Sequence, residues 1–416
     1  MNDGTADIDD LEFETASGES KLSRRAFVGT AGALAAGGLL AACSSGDDSS
    51  ASGEDPSGAD SDSDDDGGAS SGDDDLDEAL QASDLPEVTW DLATSWPLAL
   101  DTIFGGANFF AEQVTAMTGG RFTINAAPGG DLVPALEILQ SVQSGAVTAG
   151  HTASYYYVGL DPIVAFGTAV PFGMTARQQN AWLYEGGGLE MLQEVYRERF
   201  GVIQFPAGNT GCQMGGWFNT EINSISDIGG LRMRIPGLGA TVMERLGASV
   251  QVIPGGEIFQ SLETGAIDAA EWVGPFDDLV QEFNQVADFY YFPGWWEPGP
   301  SLEVQFPVEA YDGLPEEYQA VLQNAAAFAN HQMLARYDAL NPPALEEIQA
   351  GGTTILPFPD DVMDAAESAS LEILEENAAA SDDYRSVLDN WLAFRSGVGE
   401  WHGLAEKAML DFLAQS

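Results

Sequence analysis

The chain has 416 residues, 44% of them hydrophobic, with 66 acidic against 14 basic side chains and two cysteines. The length fits one large or two ordinary domains, and an apolar content near the globular average excludes a wholly disordered chain and a polytopic membrane protein. A formal charge of −52 disfavours nucleic acid and anionic membrane surfaces as partners, because backbone phosphates need clustered Lys and Arg.

The imbalance is not confined to a tail: residues 87–416 hold 44 acids against 11 bases, a balance of −33, with Lys407 their one lysine. Such a surface repels itself at low ionic strength and is screened within about 3 Å at molar salt. The composition points to a salt-loving organism.

In chain order, residues 1–43 carry Arg24-Arg25 followed by Phe27, an uncharged small-residue run, and Leu40-Ala41-Ala42-Cys43. This pattern predicts a twin-arginine export signal ending in a lipobox, with the chain exported and lipid-anchored through Cys43 to the outer face of the cytoplasmic membrane. Residues 44–86 are Ser, Gly and Asp in low-complexity order, too polar to bury a core, and are expected to form a disordered acidic tether. Two motif matches inside it, Gly68-Ala69-Ser70-Ser71-Gly72 and Asp62 to Gly67, lack the strand and helices that a nucleophile elbow and a calcium loop require.

The expected folded body starts at residue 87. Val88–Ala93 reads as a strand, Thr102–Thr118 as a helix ended by Gly119-Gly120, Arg121–Ala126 as a strand and Pro134–Ser144 as a helix closed by Gly145. The rhythm returns with strand Leu231–Ile235, helix Gly239–Leu246, strand Ser249–Ile253, helix Glu257–Thr264 and strand Ile267–Val273. Strands alternating with helices predict an α/β fold with mainly parallel sheets, and two such blocks predict two lobes with a cleft between them. The first lobe is expected over about 87–210 with part of 300–345, the second over about 211–299 with the C-terminal helices. From Pro315 the pattern is helical, over Glu316–Leu340, Asp360–Ala380, Asp382–Arg395 and Gly399–Ala414. In the last helix Trp401, Leu404, Ala408 and Phe412 recur at helical spacing, a stripe that packs on its own lobe or in a homodimer, the former being the commoner use.

Chemistry-bearing residues are few. With Cys43 assigned to lipid only Cys212 remains, so there is no disulfide framework. His151, His331 and His402 show no metal-ligand spacing, and no phosphate-binding glycine motif occurs in the body. The informative stretch is 208–300. Arg232 and Arg234 lie on one face of a strand that ends in Pro236-Gly237, and a guanidinium is the best-defined clamp for a small carboxylate. Arg234, nearer the strand end where α/β ligand crevices open, is the preferred clamp; an ordinary salt bridge is the alternative for either. Gln213, Glu271, the carbonyl of Trp272 and Glu297 are hard oxygen donors that suit sodium, calcium or magnesium. A cation bridging them to the ligand would make an anion acceptable in so acidic a chain. Among the aromatics, one alternate member of Tyr155-Tyr156-Tyr157 should face the cleft, and Tyr156 is preferred.

These segments resemble a known family. Asp101-Thr102-Ile103-Phe104-Gly105, Tyr155-Tyr156-Tyr157, Asp161-Pro162, Pro171-Phe172-Gly173, Gly208-Asn209-Thr210-Gly211 and Gln213-Met214-Gly215-Gly216-Trp217-Phe218 carry the resemblance. It continues through Arg234-Ile235-Pro236-Gly237, Pro254-Gly255-Gly256-Glu257 and Asp268 to Pro275. From Val88 to about Ala414 the chain is similar to the extracytoplasmic solute receptors of tripartite ATP-independent periplasmic (TRAP) transporters, the DctP-like proteins, and above all to their 2-oxo-acid-binding branch.

The resemblance implies a two-lobed periplasmic-binding-protein-like fold with long helices, which closes on its ligand. It implies that Arg234 holds a substrate carboxylate, with Gln213, Asn209, Tyr156 and Trp272 beside it. It also implies a bound sodium or calcium on Gln213, Glu271 and Trp272, with Glu297 a further ligand. The function it implies is capture, without catalysis, of a small monocarboxylate such as pyruvate or lactate for delivery to a TRAP permease in the membrane. The acid-rich surface, the tether and Trp296, where Trp-x-Glu-Pro-Gly leads one to expect a more polar residue, depart from that pattern. A sensory receptor would share every binding residue and differ in its partner; an enzyme would need an acid–base pair, for which only Glu271 and Glu297 offer themselves.

Overall fold

The computed structural model describes residues 85–415. The export signal, Cys43 and all but the last two residues of the tether lie outside them. Among the described residues no helix is long and apolar enough to cross a membrane.

Two sheets organise the body. The first contains β1 (Val88–Thr94), β2 (Phe122–Ala127), β3 (Ala149–Thr152), β4 (Val202–Asn209) and β10 (Ser301–Pro307), in the order β2-β1-β3-β10-β4. The second contains β5 (Trp217–Phe218), β6 (Arg232–Arg234), β7 (Ser249–Gln251), β8 (Ala269–Ala270), β9 (Phe289–Phe292) and β11 (Thr354–Pro357), in the order β11-β9-β5-β8-β6-β7. The two α/β lobes are therefore present, but the sheets are mixed rather than mainly parallel. β10 runs antiparallel to both β3 and β4, and β5 antiparallel to both β8 and β9. The cause is chain path: β4 leads out of the first sheet toward β5, and β9 sends the chain back as β10, so each returning strand enters against its neighbours. Pro206 sits in β4, an edge strand, beside a register shift at Leu302/Glu303, the kind of place where a residue without an N–H is tolerated.

The first helix, Ile103–Met117, forms as its apolar spacing predicts and buries Ile103, Phe104, Phe110 and Val114. Others are shorter than expected: the segment 134–144 is helical over Ile138–Gln143 alone. The helix Glu316–Ala350 is ten residues longer at its C-terminal end than its pattern suggests and runs through Pro342-Pro343. Each proline removes one backbone donor; burial on both sides of the pair outweighs that loss. Tyr318, Leu322 and Ala329 join the core of the first lobe, whereas Met333, Tyr337 and Ile348 join a cluster with Trp217, Trp272 and Tyr290 of the second. This helix thus belongs to both lobes.

Helix Asp360–Ala380 packs beside helix Gly237–Arg245, which Arg245 ties to Glu372 and Glu376. Helix Asp382–His402 instead lies on the first lobe, with Tyr384 and Trp391 against Phe166 and Asn390 accepting the Trp182 indole N–H at 2.7 Å. No break separates 395 from 399; the helix continues to His402 and then into Gly403–Lys407 and Ala408–Leu413. Trp401, Leu404 and Phe412 are 60%, 74% and 62% exposed, so the stripe does not form core in its own lobe among the described residues.

Candidate functional site

β6 delivers the central residue. Met233 points into the core while Arg234 is 1% exposed, and Pro236 ends the strand before Gly237 turns the chain into the next helix. Gly237 has φ +67°, and a Cβ there would meet Tyr155 at 3.0 Å, so this turn needs glycine. Arg234 Nη1 donates to the Glu271 carbonyl at 2.9 Å and forms a close ion pair with Glu271 Oε1, while Nε donates to the Ile253 carbonyl at 3.2 Å. Its guanidinium carbon lies 5.3 Å from the centre of the Trp272 ring, within cation–π range. Nη2 has no partner. Arg232, two residues earlier, is half exposed and bound to Asp268 and the Gly265 carbonyl; it is the ordinary salt bridge.

Glu271 follows two-residue β8, which ends because Gly216, at φ +80°, brings backbone against Ala270 and Glu271. The strand expected to reach Val273 therefore stops at Ala270. Trp272 is seated by the Pro254-Gly255-Gly256-Glu257 turn: a Cβ on Gly255 would lie 2.4 Å from the indole. Gln213 Nε2 donates to Thr210 Oγ1 at 3.1 Å, and the Gln213 amide N–H donates to the Glu297 carbonyl at 3.2 Å. Glu297 Oε2 accepts from the Tyr155 hydroxyl at 3.3 Å.

A cavity of about 10 Å³ is lined by Arg234, Gln213, Trp272, Tyr156, Tyr155, Thr210, Trp96, Ile103, Val273 and Leu302; Glu271 and Glu297 are not in that lining but are bonded to its Arg234 and Tyr155. The volume is on the order of one water molecule, so even a three-carbon acid must move Arg234 off Glu271 or part the lobes. Both Tyr155 and Tyr156 line it, and Tyr157 turns away to Thr152. Strand alternation fails for this triplet because Ser154–Tyr157 is a 3-10 helix. Asn209 does not line the cavity: its Oδ1 accepts the Gly211 amide at 2.8 Å and its Nδ2 faces the Gly299 carbonyl, which fixes the turn that presents Thr210 and Gln213.

Burial dominates the electrostatics. It pushes the Glu271 carboxyl up to about 7 against the pull of Arg234. It raises Glu297 well above the carboxylate range, with Glu271 adding to the effect. Burial likewise holds Tyr156 protonated, near 12. Gln213 Oε1 and Glu271 Oε2 are buried without partners. Among the described residues no three His, Cys, Asp or Glu side chains come together as a metal site, so a cation here has to use amide and carbonyl oxygens as well as carboxylates. The orphaned oxygens fit a hard cation, and the orphaned Nη2 fits a carboxylate.

Trp96, Thr210, Ile103, Val273 and Leu302 also line the cavity, beyond the residues the sequence pattern singles out. Trp96-Pro97 directly after β1, at the strand end where ligand crevices open, was a usable signal; Ile103, Val273 and Leu302 are indistinguishable from core by type.

Two α/β lobes sharing long helices, with a buried arginine and orphaned oxygens at one small cavity between the sheets, define the class as a two-lobed solute-binding protein. The chain belongs to the DctP family, bacterial extracellular solute-binding protein family 7, whose model matches residues 92–381. It is 52% identical over 332 residues, 80% of this chain and 91% of the other, to the monocarboxylate 2-oxoacid-binding periplasmic protein of Nostoc sp.. A TRAP solute-binding protein of Bordetella bronchiseptica, a dimer with calcium and picolinate in one active site, matches at TM-score 0.78 and 41% identity, over 79% of this chain and 98% of that one. A TRAP periplasmic protein of Pseudoalteromonas atlantica with bound sodium and pyruvate matches at 0.75 and 40%, over 78% and 99%.

Proposed function

We propose that this chain is the solute receptor of a TRAP transporter. It captures a small monocarboxylate, a 2-oxo acid such as pyruvate or a 2-hydroxy acid such as lactate, together with sodium or calcium, and delivers it to a membrane permease. The observation that carries this is a set of three orphaned buried atoms: Arg234 Nη2 and Gln213 Oε1, on residues that line the cavity, and Glu271 Oε2, on the residue paired with Arg234. A buried donor and two buried acceptors without partners are costly, and a carboxylate with a cation satisfies all three.

In this reading Arg234 takes the carboxylate. Gln213, Glu271, the Trp272 carbonyl and Glu297 hold the cation, which supplies positive charge against which the acid can be buried. Tyr156 and the Trp272 ring wall the ligand, and Asn209 acts through the Thr210–Gln213 turn it braces. Closure is favoured by the ligand's higher affinity for the closed lobes, so the shape reports binding to the permease. Export by the twin-arginine signal, anchoring through Cys43, and a saline habitat complete the proposal, supported by the sequence motifs and charge. The exposed stripe Trp401, Leu404 and Phe412 favours a homodimer over a monomer.

The test is calorimetric titration of the protein in molar salt with pyruvate, lactate and dicarboxylates, with sodium or calcium present or withheld. Arg234→Ala is expected to cost about 2–5 kcal/mol of binding. Near-normal affinity in that variant would remove Arg234 from the site. Binding that persists unchanged without either cation would remove the ion.

A further inference from the structure

We infer that Trp96 is the wall that limits the length of acid this cleft accepts, and that His151 is the positioning residue that keeps it there. The inference rests on the monocarboxylate reading above. The cavity lining is of two unlike kinds. Arg234, Gln213 and Thr210 supply polar groups, Thr210 being engaged with Gln213, and Tyr155 and Tyr156 carry hydroxyls, that of Tyr155 donating to Glu297. Besides these and the Trp272 ring, the lining is Trp96, Ile103, Val273 and Leu302, without a charged side chain among them. An acid held by its carboxylate at Arg234 turns its other end to this apolar set.

Trp96 is the largest of the four and 1% exposed. Its only polar atom is already used: the indole N–H donates to His151 Nδ1 at 2.7 Å. The ring therefore offers a ligand apolar surface and no donor, so a second carboxylate set against it finds no partner there.

His151 is fixed in turn. Because Nδ1 accepts from Trp96, its proton sits on Nε2, which faces the Ala207 carbonyl at 3.2 Å. Burial lowers its pKa to about 4, so the neutral tautomer that the Trp96 bond requires persists at working pH. His151 lies on β3 and Ala207 on β4, both hydrogen-bonded to β10, which makes the support a sheet rather than a loop. Ile103, Val273 and Leu302 can change rotamer without losing a hydrogen bond; Trp96 cannot.

The experiment titrates the full chain, in molar sodium chloride with calcium, with 2-oxo acids of three, four and five carbons and with a five-carbon 2-oxo diacid. In the unaltered protein affinity is expected to fall by roughly tenfold or more per added methylene, with the diacid weakest. Trp96→Phe and Trp96→Ala should flatten that fall, the five-carbon acid gaining at least about tenfold relative to the three-carbon acid. His151→Gln, which keeps an acceptor for the indole, should preserve the cut-off, and His151→Leu should relax it. A merely structural role for His151 would weaken all acids in proportion and leave their ratio unmoved. If Trp96→Ala does not fold, Trp96→Phe carries the test. An unchanged chain-length ratio in the Trp96 variants overturns the wall while leaving monocarboxylate capture standing; a chain that binds none of the acids overturns both.

Discussion

Glu271 gives one carboxylate oxygen to Arg234 and leaves the other buried without a partner. Burial moves its pKa from the ordinary 4.5 to about 7 in the cation-free fold. Between those values the unfolded chain is ionised while the fold still holds its proton, so the cation-free protein loses stability as pH rises from about 4.5 to 7. A bound cation needs the carboxylate and competes with that proton. Calcium affinity is therefore expected to rise with pH up to about 7, by as much as about tenfold per unit, and to level off above it. Titrations with calcium at pH 5.5 and 8 check this, and equal affinity at both would exclude Glu271 as a ligand. At this scale Arg234, which the structure buries at the cavity, was legible because an arginine beside a Pro-Gly turn stands out in a chain poor in bases, whereas Glu271 and Glu297 resemble any of its many acids. The apolar half was hidden, since Ile103 and Leu302 have the same chemistry as any core residue.

Elements explain what single residues do not. The Tyr155-Tyr156-Tyr157 run puts two rings at the cavity because it coils as a 3-10 helix, a choice that β-propensity alone opposes. β8 is two residues long, and the Glu271 carbonyl beyond it accepts from Arg234 rather than from a neighbouring strand. The long periodic helices were read to within a few residues at their starts, and Asp360–Ala380 at both ends; the continuation through Pro342-Pro343 was not, because tertiary burial rather than local pattern sustains it. The turn at Pro254-Gly255 is likewise meaningful only once Trp272 lies on it. Gly255→Ala is expected to push the indole out of place and weaken monocarboxylate binding by about tenfold, roughly 1.4 kcal/mol, with the fold retained. Calorimetry alongside thermal melting separates these outcomes; unaltered affinity would mean that Trp272 has room to adjust.

Across the whole molecule, the lobes are joined by more than their linkers. Asp277, buried at the start of helix Pro275–Val280, accepts a hydrogen bond from the Thr102 hydroxyl of the first lobe. It also accepts one from Tyr337 on the shared long helix at 2.7 Å. Arg336, next to Tyr337, forms an ion pair with Asp101, and Asn341 accepts the Phe276 amide at 3.1 Å. One short stretch of the long helix thus holds both lobes beside the cavity. Thr102→Val keeps the shape but removes the hydroxyl, and is expected to cost about 1–3 kcal/mol of stability by leaving a buried carboxylate oxygen without that donor. Denaturant unfolding measures it; an unchanged midpoint would mean that Asp277 gains nothing from crossing between lobes.

The acidic body, −33 over residues 87–416, also bears on how fast an anion arrives. In dilute buffer an approaching carboxylate meets a repulsive field over the whole surface, and encounters with the cleft are fewer than free diffusion would allow. In molar salt the field extends only about 3 Å, and the acid reaches the opening unopposed. Capture is therefore quicker in brine than in fresh water, the reverse of what electrostatic steering gives an enzyme whose charge opposes that of its substrate.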